Sequence, residues 1–217
     1  MQQTNARLAA WALVVGTVVA TAGYLTAFLA NGNGDERFSG SSWTGLYTIA
    51  LFGDVLVLLG LPALLQAQGD RCRRLTLIGY VGIFVPLAIL NVGEGMVEAF
   101  VKPYFARHGG LLANDLPGLA AWEAPALLLL LVGIICLATA IFRARVLPRW
   151  LGVLFLLPLL GAAGLTGGAS LIPDYALFVA LFVVGVHVLR RDVAQAPQAA
   201  TARATEPVRA AALDAHE

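Results

Sequence analysis

The feature that most constrains this chain is the length of its apolar runs. A transmembrane helix needs roughly 20 mostly apolar residues. Six segments come up to that length, at about residues 8–30, 44–65, 75–101, 119–142, 150–165 (the shortest) and 171–189. The runs are continuous. A barrel strand would alternate apolar and polar over about ten residues, so helices are expected throughout. The polar remainder is small: 12% of the 217 residues are charged and mean hydropathy is +0.80. A soluble domain of this length leaves much of its chain facing water, so a water-soluble fold is excluded. Fourteen Lys and Arg against 13 Asp and Glu make no basic field for nucleic acid. Two cysteines, Cys72 and Cys136, make no disulfide scaffold. Neither has a neighbouring ligand residue at metal-binding spacing.

Orientation follows from the basic residues. Six spans put Arg7, Arg71, Arg73, Arg74, Arg143, Arg145, Arg149, Arg190, Arg191, Arg203 and Arg209 on one side, and only Arg37, Lys102 and Arg107 on the other. Eleven against three is a positive-inside pattern. The expected fold is therefore all-α: a polytopic bundle of six spans over residues 1–192, both termini cytoplasmic, in a bacterial plasma membrane. Residues 193–217 are Ala-rich with scattered charge, and are expected to form a disordered cytoplasmic tail. Arg7, the first apolar run and Ala20-Thr21-Ala22 also imitate a cleavable signal. The run continues past that point to Ala30, so an uncleaved first span is expected. Trp43, Trp122, Trp150 and Trp11 fall near expected span ends, where an apolar ring with a wet N–H anchors at the headgroups.

Ionisable groups within a span are costly, and so point to function. Asp54 falls near the middle of span two. Asn91, Glu94 and Glu98 follow i, i+3, i+7 spacing, one helical face near the outer end of span three. Glu123 opens span four. Thr17, Thr21 and Tyr24 make a polar stripe on span one. The pattern predicts a polar cavity among spans one to four, open toward the outer side, with Gly93 and Gly95 allowing close approach around Glu94. Carboxylates gathered in low dielectric cannot all carry charge. Lys102, Arg107 and His108 follow in the next loop, where Pro103 is expected to bend or restart the helix. Tyr104, Phe105, Leu111 and Leu112 suggest a segment on the membrane surface or over the cavity. Residues 31–37 read as a flexible turn.

No P-loop, nucleophile elbow or zinc-protease motif is present. Three functional readings fit. The adopted one is an accessory or lipid-interacting membrane protein. The second is a membrane-embedded enzyme, with Glu94 or Asp54 as a catalytic acid on a lipid or isoprenoid, and Glu98 or Glu123 as the stabilising anion or base. The third is a small proton- or cation-coupled carrier. Asn91, Thr21, Tyr24, Tyr104 and His108 are the expected ligand contacts. Membrane lipids and a hydrophobic small molecule are the expected partners. No cofactor or metal is expected, and the oligomeric state is left open.

The stretch Arg145-Val-Leu-Pro-Arg-Trp-Leu-Gly152, with Arg-rich inner loops, resembles uncharacterised multi-span membrane proteins of bacteria, above all of high-GC actinobacteria. As a pattern of spans the resemblance covers residues 5–192. It implies a membrane bundle and carries no assigned reaction or active residue. Glu94-x-x-x-Glu98 also resembles the acidic pattern of the integral membrane terpene cyclases, which implies acid chemistry.

Overall fold

The computed structural model describes residues 2–32, 35–69, 72–108, 119–162 and 175–191. Every regular element among them is helical. The physical reason is that a helix satisfies each backbone N–H and C=O within its own segment, where lipid offers no partner. In chain order they are α1 (Gln2–Asn31), a 3-10 turn (Asp35–Ser39), α2 (Trp43–Gly60), α3 (Pro62–Gln68), α4 (Arg73–Pro86), two π-helical stretches (Leu87–Glu94 and Val97–Val101), α5 (Lys102–His108), α6 (Leu119–Ala144) and α7 (Arg149–Ala162). A last helix, α8, covers residues 175–191.

Among the described residues, four helices are long and apolar enough to cross a membrane: Thr4–Asn31, Trp43–Gln68, Arg73–His108 and Ala121–Ala144. They match the first four expected spans. The expected spans over 150–165 and 171–189 correspond to α7 and α8, but run into residues 163–174, which lie outside the described residues. So do Leu111, Leu112 and the expected tail at 193–217.

Two glycine seams set the bundle. Between α1 and α2, Gly16 packs on the backbone of Gly53 and Val57 and Gly23 on Ala50, while Gly53 packs on Ala20 and Gly60 on Leu13; the two glycines of each helix are seven residues apart, the period of a coiled-coil seam. A Cβ on Gly53 would stand 2.2 Å from the Ala20 backbone nitrogen, and one on Gly16 would stand 2.6 Å from that of Val57. Without hydrophobic drive between helices in lipid, such backbone approach supplies the dispersion contact that holds them. Gly82 and Gly133 make the same approach between α4 and α6. Leu13, Leu61, Leu64, Leu137, Phe155 and Leu181 fill the main core. Phe38, Trp43, Tyr47, Leu51 and Ala99 form a second cluster toward the other end. The Arg191 guanidinium ties α8 to the arginine-rich end, donating to the carbonyls of Ala67 at 3.3 Å and Val146 at 3.0 Å.

The third long helix departs from expectation in an informative way. It does not break at Pro103; it runs 36 residues, from Arg73 to His108. At 1.5 Å per residue that is about 54 Å, well beyond the ~30 Å hydrocarbon core. Two prolines lie within it. Pro86 ends an α-helical stretch, and π geometry follows in two stretches, the second ending just before Pro103. Proline removes one ladder bond and its ring crowds the preceding turn; at Pro103 that turn is π-helical, the kind of local adjustment by which a spanning helix accommodates proline. In the wide register the Lys102 N–H donates to Val97, and residue 103, being proline, has no N–H. The Glu98 carbonyl thereby loses its donor within the helix. Trp43 Nε1 replaces it, donating to that oxygen at 2.9 Å. Trp43 is accordingly 0% exposed, not the interface anchor its position suggests. Trp11, Trp122 and Trp150 are exposed and do suit that role.

Candidate functional site: a cavity with one acidic and one apolar wall

α1 ends, α2 begins, the Arg73–His108 helix ends, and α6 and α8 begin at one end of the bundle. There they enclose a cavity of about 400 Å³. Its polar wall carries Tyr24, Arg37, Tyr47, Asn91, Glu94, Glu98, Glu123 and Tyr175. Its apolar wall carries Phe28, Leu87, Leu90, Leu127, Leu130, Leu177 and Phe178. Of the expected acidic lining, Asn91, Glu94 and Glu123 are on this wall, joined by Tyr24 and Glu98; Asp54, expected among them, is not. The expected frame of four spans is not complete by itself, because α8 contributes Tyr175, Leu177 and Phe178.

Asp54 sits one layer behind this wall, 3% exposed. The Tyr24 hydroxyl donates to its Oδ2, and the Asn91 side chain faces the same carboxylate. Its Oδ1 is buried with no hydrogen-bond partner among the described residues. Asp54 thus communicates with the cavity through Tyr24.

Glu98 is held most tightly. Although it lies near the outer end of its span, Glu98 is 8% exposed. Lys102, one turn on, contacts its Oε1, and Arg37 pairs with its Oε2 at 3.7 Å. Lys102 also lies 5.3 Å from the Phe38 ring centre. The charges of Glu123, Glu98 and Lys102 all act on Glu94. Neither Glu94 nor Glu123 forms an ion pair among the described residues. Close approach of three metal-binding side chains does not occur among the described residues either.

The remaining expected contacts lie elsewhere. Thr21 is half-buried on α1 outside the lining, and Thr17 donates to its own helix at the Leu13 carbonyl (2.9 Å). That is the packing role open to any helical threonine. Tyr104 and His108 are exposed beyond the cavity, with rings stacked 4.3 Å apart and His108 Nδ1 2.8 Å from the Tyr104 carbonyl. Of the two glycines beside Glu94, Gly95 serves close packing: a Cβ there would meet Leu51 at 2.5 Å. Gly93 meets only a carbonyl of its own helix, at 3.6 Å.

Sequence reasoning missed Arg37, Tyr47 and Tyr175. Arg37 belongs to the segment read as a flexible turn. It is fixed by a 3-10 turn and by three rings, with its guanidinium 4.6 Å from the Phe38 centroid, 5.3 Å from Trp43 and 5.4 Å from Phe28. Cation–π attraction of this kind is strongest where water is excluded. The available signal was one arginine among aromatic residues on the side poor in basic groups.

Comparison with known proteins gives no match: no protein family fits the chain, and no curated protein or solved structure resembles it.

Proposed function

We propose that this chain is an integral membrane protein that binds a lipid or another amphiphile in the cavity. The observation that carries the reading is the division of the lining into an acidic wall and an apolar wall. Specific small-molecule sites combine a mostly apolar lining with a few convergent polar groups, in about 300–1,000 Å³. At 400 Å³, the cavity has room for a headgroup and the start of one chain. On this reading the chain lies in the plasma membrane with six spans. Both termini and the Arg-rich loops face the cytoplasm, and the cavity opens toward the outer leaflet.

The test is lipid retention. Wild type and Leu130→Trp, which fills the apolar wall, are purified in maltoside detergent and their bound lipids identified by mass spectrometry. Wild type is expected to retain an amphiphile in a fixed ratio, and Leu130→Trp to lose it. Equal lipid content in both would contradict the proposal. A second reading, acid catalysis on the bound molecule, draws support from Glu94 and Glu123 lining one cavity beside apolar residues. Turnover of an isoprenoid or lipid that stops in Glu94→Gln would establish it.

A further inference from the structure

We infer that the ligand carries a positively charged amine or ammonium head on an apolar chain, with the head held between Glu94 and Glu123. This rests on the amphiphile-binding reading above and adds the ligand's charge.

The argument is an account of cations. Arg37, Lys102, Arg107 and His108 are the basic side chains at the cavity end. Arg37 and Lys102 are both engaged by Glu98. Arg107 is exposed and reaches the Gly40 carbonyl at 3.5 Å, and His108 is exposed against Tyr104. Residues 109–118 and 163–174, which connect α5 to α6 and α7 to α8, contain no Lys, Arg or His in their sequence. Among the described residues no basic side chain forms an ion pair with Glu94 or Glu123, and Lys102, whose charge reaches Glu94, is paired with Glu98. Two partly buried carboxylates beside apolar residues are held at a cost that a positive group relieves. An anionic head would be repelled by the same pair.

The rest of the lining agrees. Glu98 adds a third carboxylate to the wall, and the two cations beside it, Arg37 and Lys102, both pair with Glu98 itself, so the wall is acidic on balance. Tyr24, Tyr47 and Tyr175 also line the cavity, and aromatic faces attract ammonium groups. The apolar wall, together with the lack of a three-ligand cluster among the described residues, selects an organic cation over a metal ion.

The experiment titrates the full chain in maltoside detergent with dodecylamine, dodecanol and dodecanoate, and reads bound mass by native mass spectrometry. Dodecylamine is expected to bind at least about tenfold more tightly than dodecanol, the factor that corresponds to ~1.4 kcal/mol. Dodecanoate is expected to bind most weakly. Glu94→Gln and Glu123→Gln should each lower amine affinity about tenfold while leaving dodecanol affinity unchanged. If Glu94→Gln does not fold, the wild-type series and Glu123→Gln decide alone. Equal binding of all three compounds, unaffected by either variant, overturns the charge inference and leaves the amphiphile reading standing. No binding of any compound overturns both. A lyso-phosphatidylethanolamine arm assigns the source. Binding equal to dodecylamine supports a lipid headgroup, and rejection with dodecylamine still bound supports a single-chain amine.

Discussion

Replacing Trp43 by Phe removes one donor from the junction of α2 and the third long helix while keeping an aromatic ring. The Glu98 carbonyl then has no partner: its helical donors are withdrawn by the wide register and by Pro103. An unsatisfied buried acceptor costs about 1–3 kcal/mol. Weaker attraction between the new ring and Arg37, now 5.3 Å from the indole, adds roughly 0.5–1 kcal/mol. Trp43→Phe should therefore lose about 1.5–4 kcal/mol in all. Unfolding by sodium dodecyl sulfate in mixed micelles, followed by near-UV circular dichroism, measures this. Trp122→Phe, at a residue 68% exposed, is the control, and should stay within about 0.5 kcal/mol of wild type. A double-mutant cycle isolates the cause. Pro103→Ala restores an N–H at the position that, in the register of Lys102 and Val97, meets the Glu98 carbonyl. In that background the loss from Trp43→Phe should shrink by about 1 kcal/mol. Additive effects, to within ~0.3 kcal/mol, would refute the linkage between the proline, the wide register and the indole.

Three further outcomes are expected. Gly53→Ala should destabilise the chain: overpacking by about 1–3 kcal/mol outweighs the ~1 kcal/mol gained in helix propensity, because the Cβ meets backbone. Gly45→Ala, with nothing within 4 Å, should cause no loss in the same unfolding assay. Tyr24→Phe removes the hydroxyl that donates to Asp54 and should reduce stability by about 1.5–3 kcal/mol; adding Asp54→Leu should recover part of it, as both partners are then apolar. Cys72, half-buried at the start of α4 near the Arg-rich end, should react with a membrane-impermeant maleimide in inside-out vesicles and not in intact cells. The reverse pattern would overturn the proposed orientation.

The helices and the acidic face were legible in the sequence for direct reasons. Apolar runs of span length admit one structure in lipid, and 91, 94 and 98 share a helical face by spacing alone. Trp43 was misjudged because its local position says interface, while the bond that buries it depends on a proline 60 residues later. The burial of Glu98 was not legible because Arg37 lies far from it in sequence, on a turn whose order comes from the rings around it. Tyr175 gave no local signal; α8 reaches the site only through tertiary packing. Tyr104 and His108 were drawn in by nearness along the chain, but the helix carries them past the cavity.

The central claim is that an amphiphile occupies the space between the acidic and apolar walls. The most direct measurement is photo-crosslinking of the full chain with a diazirine-bearing long-chain amine, with adducts mapped by mass spectrometry. The account predicts adducts on Leu127, Leu130, Leu177 or Phe178, suppressed by excess dodecylamine. Adducts confined to outward-facing residues such as Leu128 and Val132, undiminished by competitor, would contradict it.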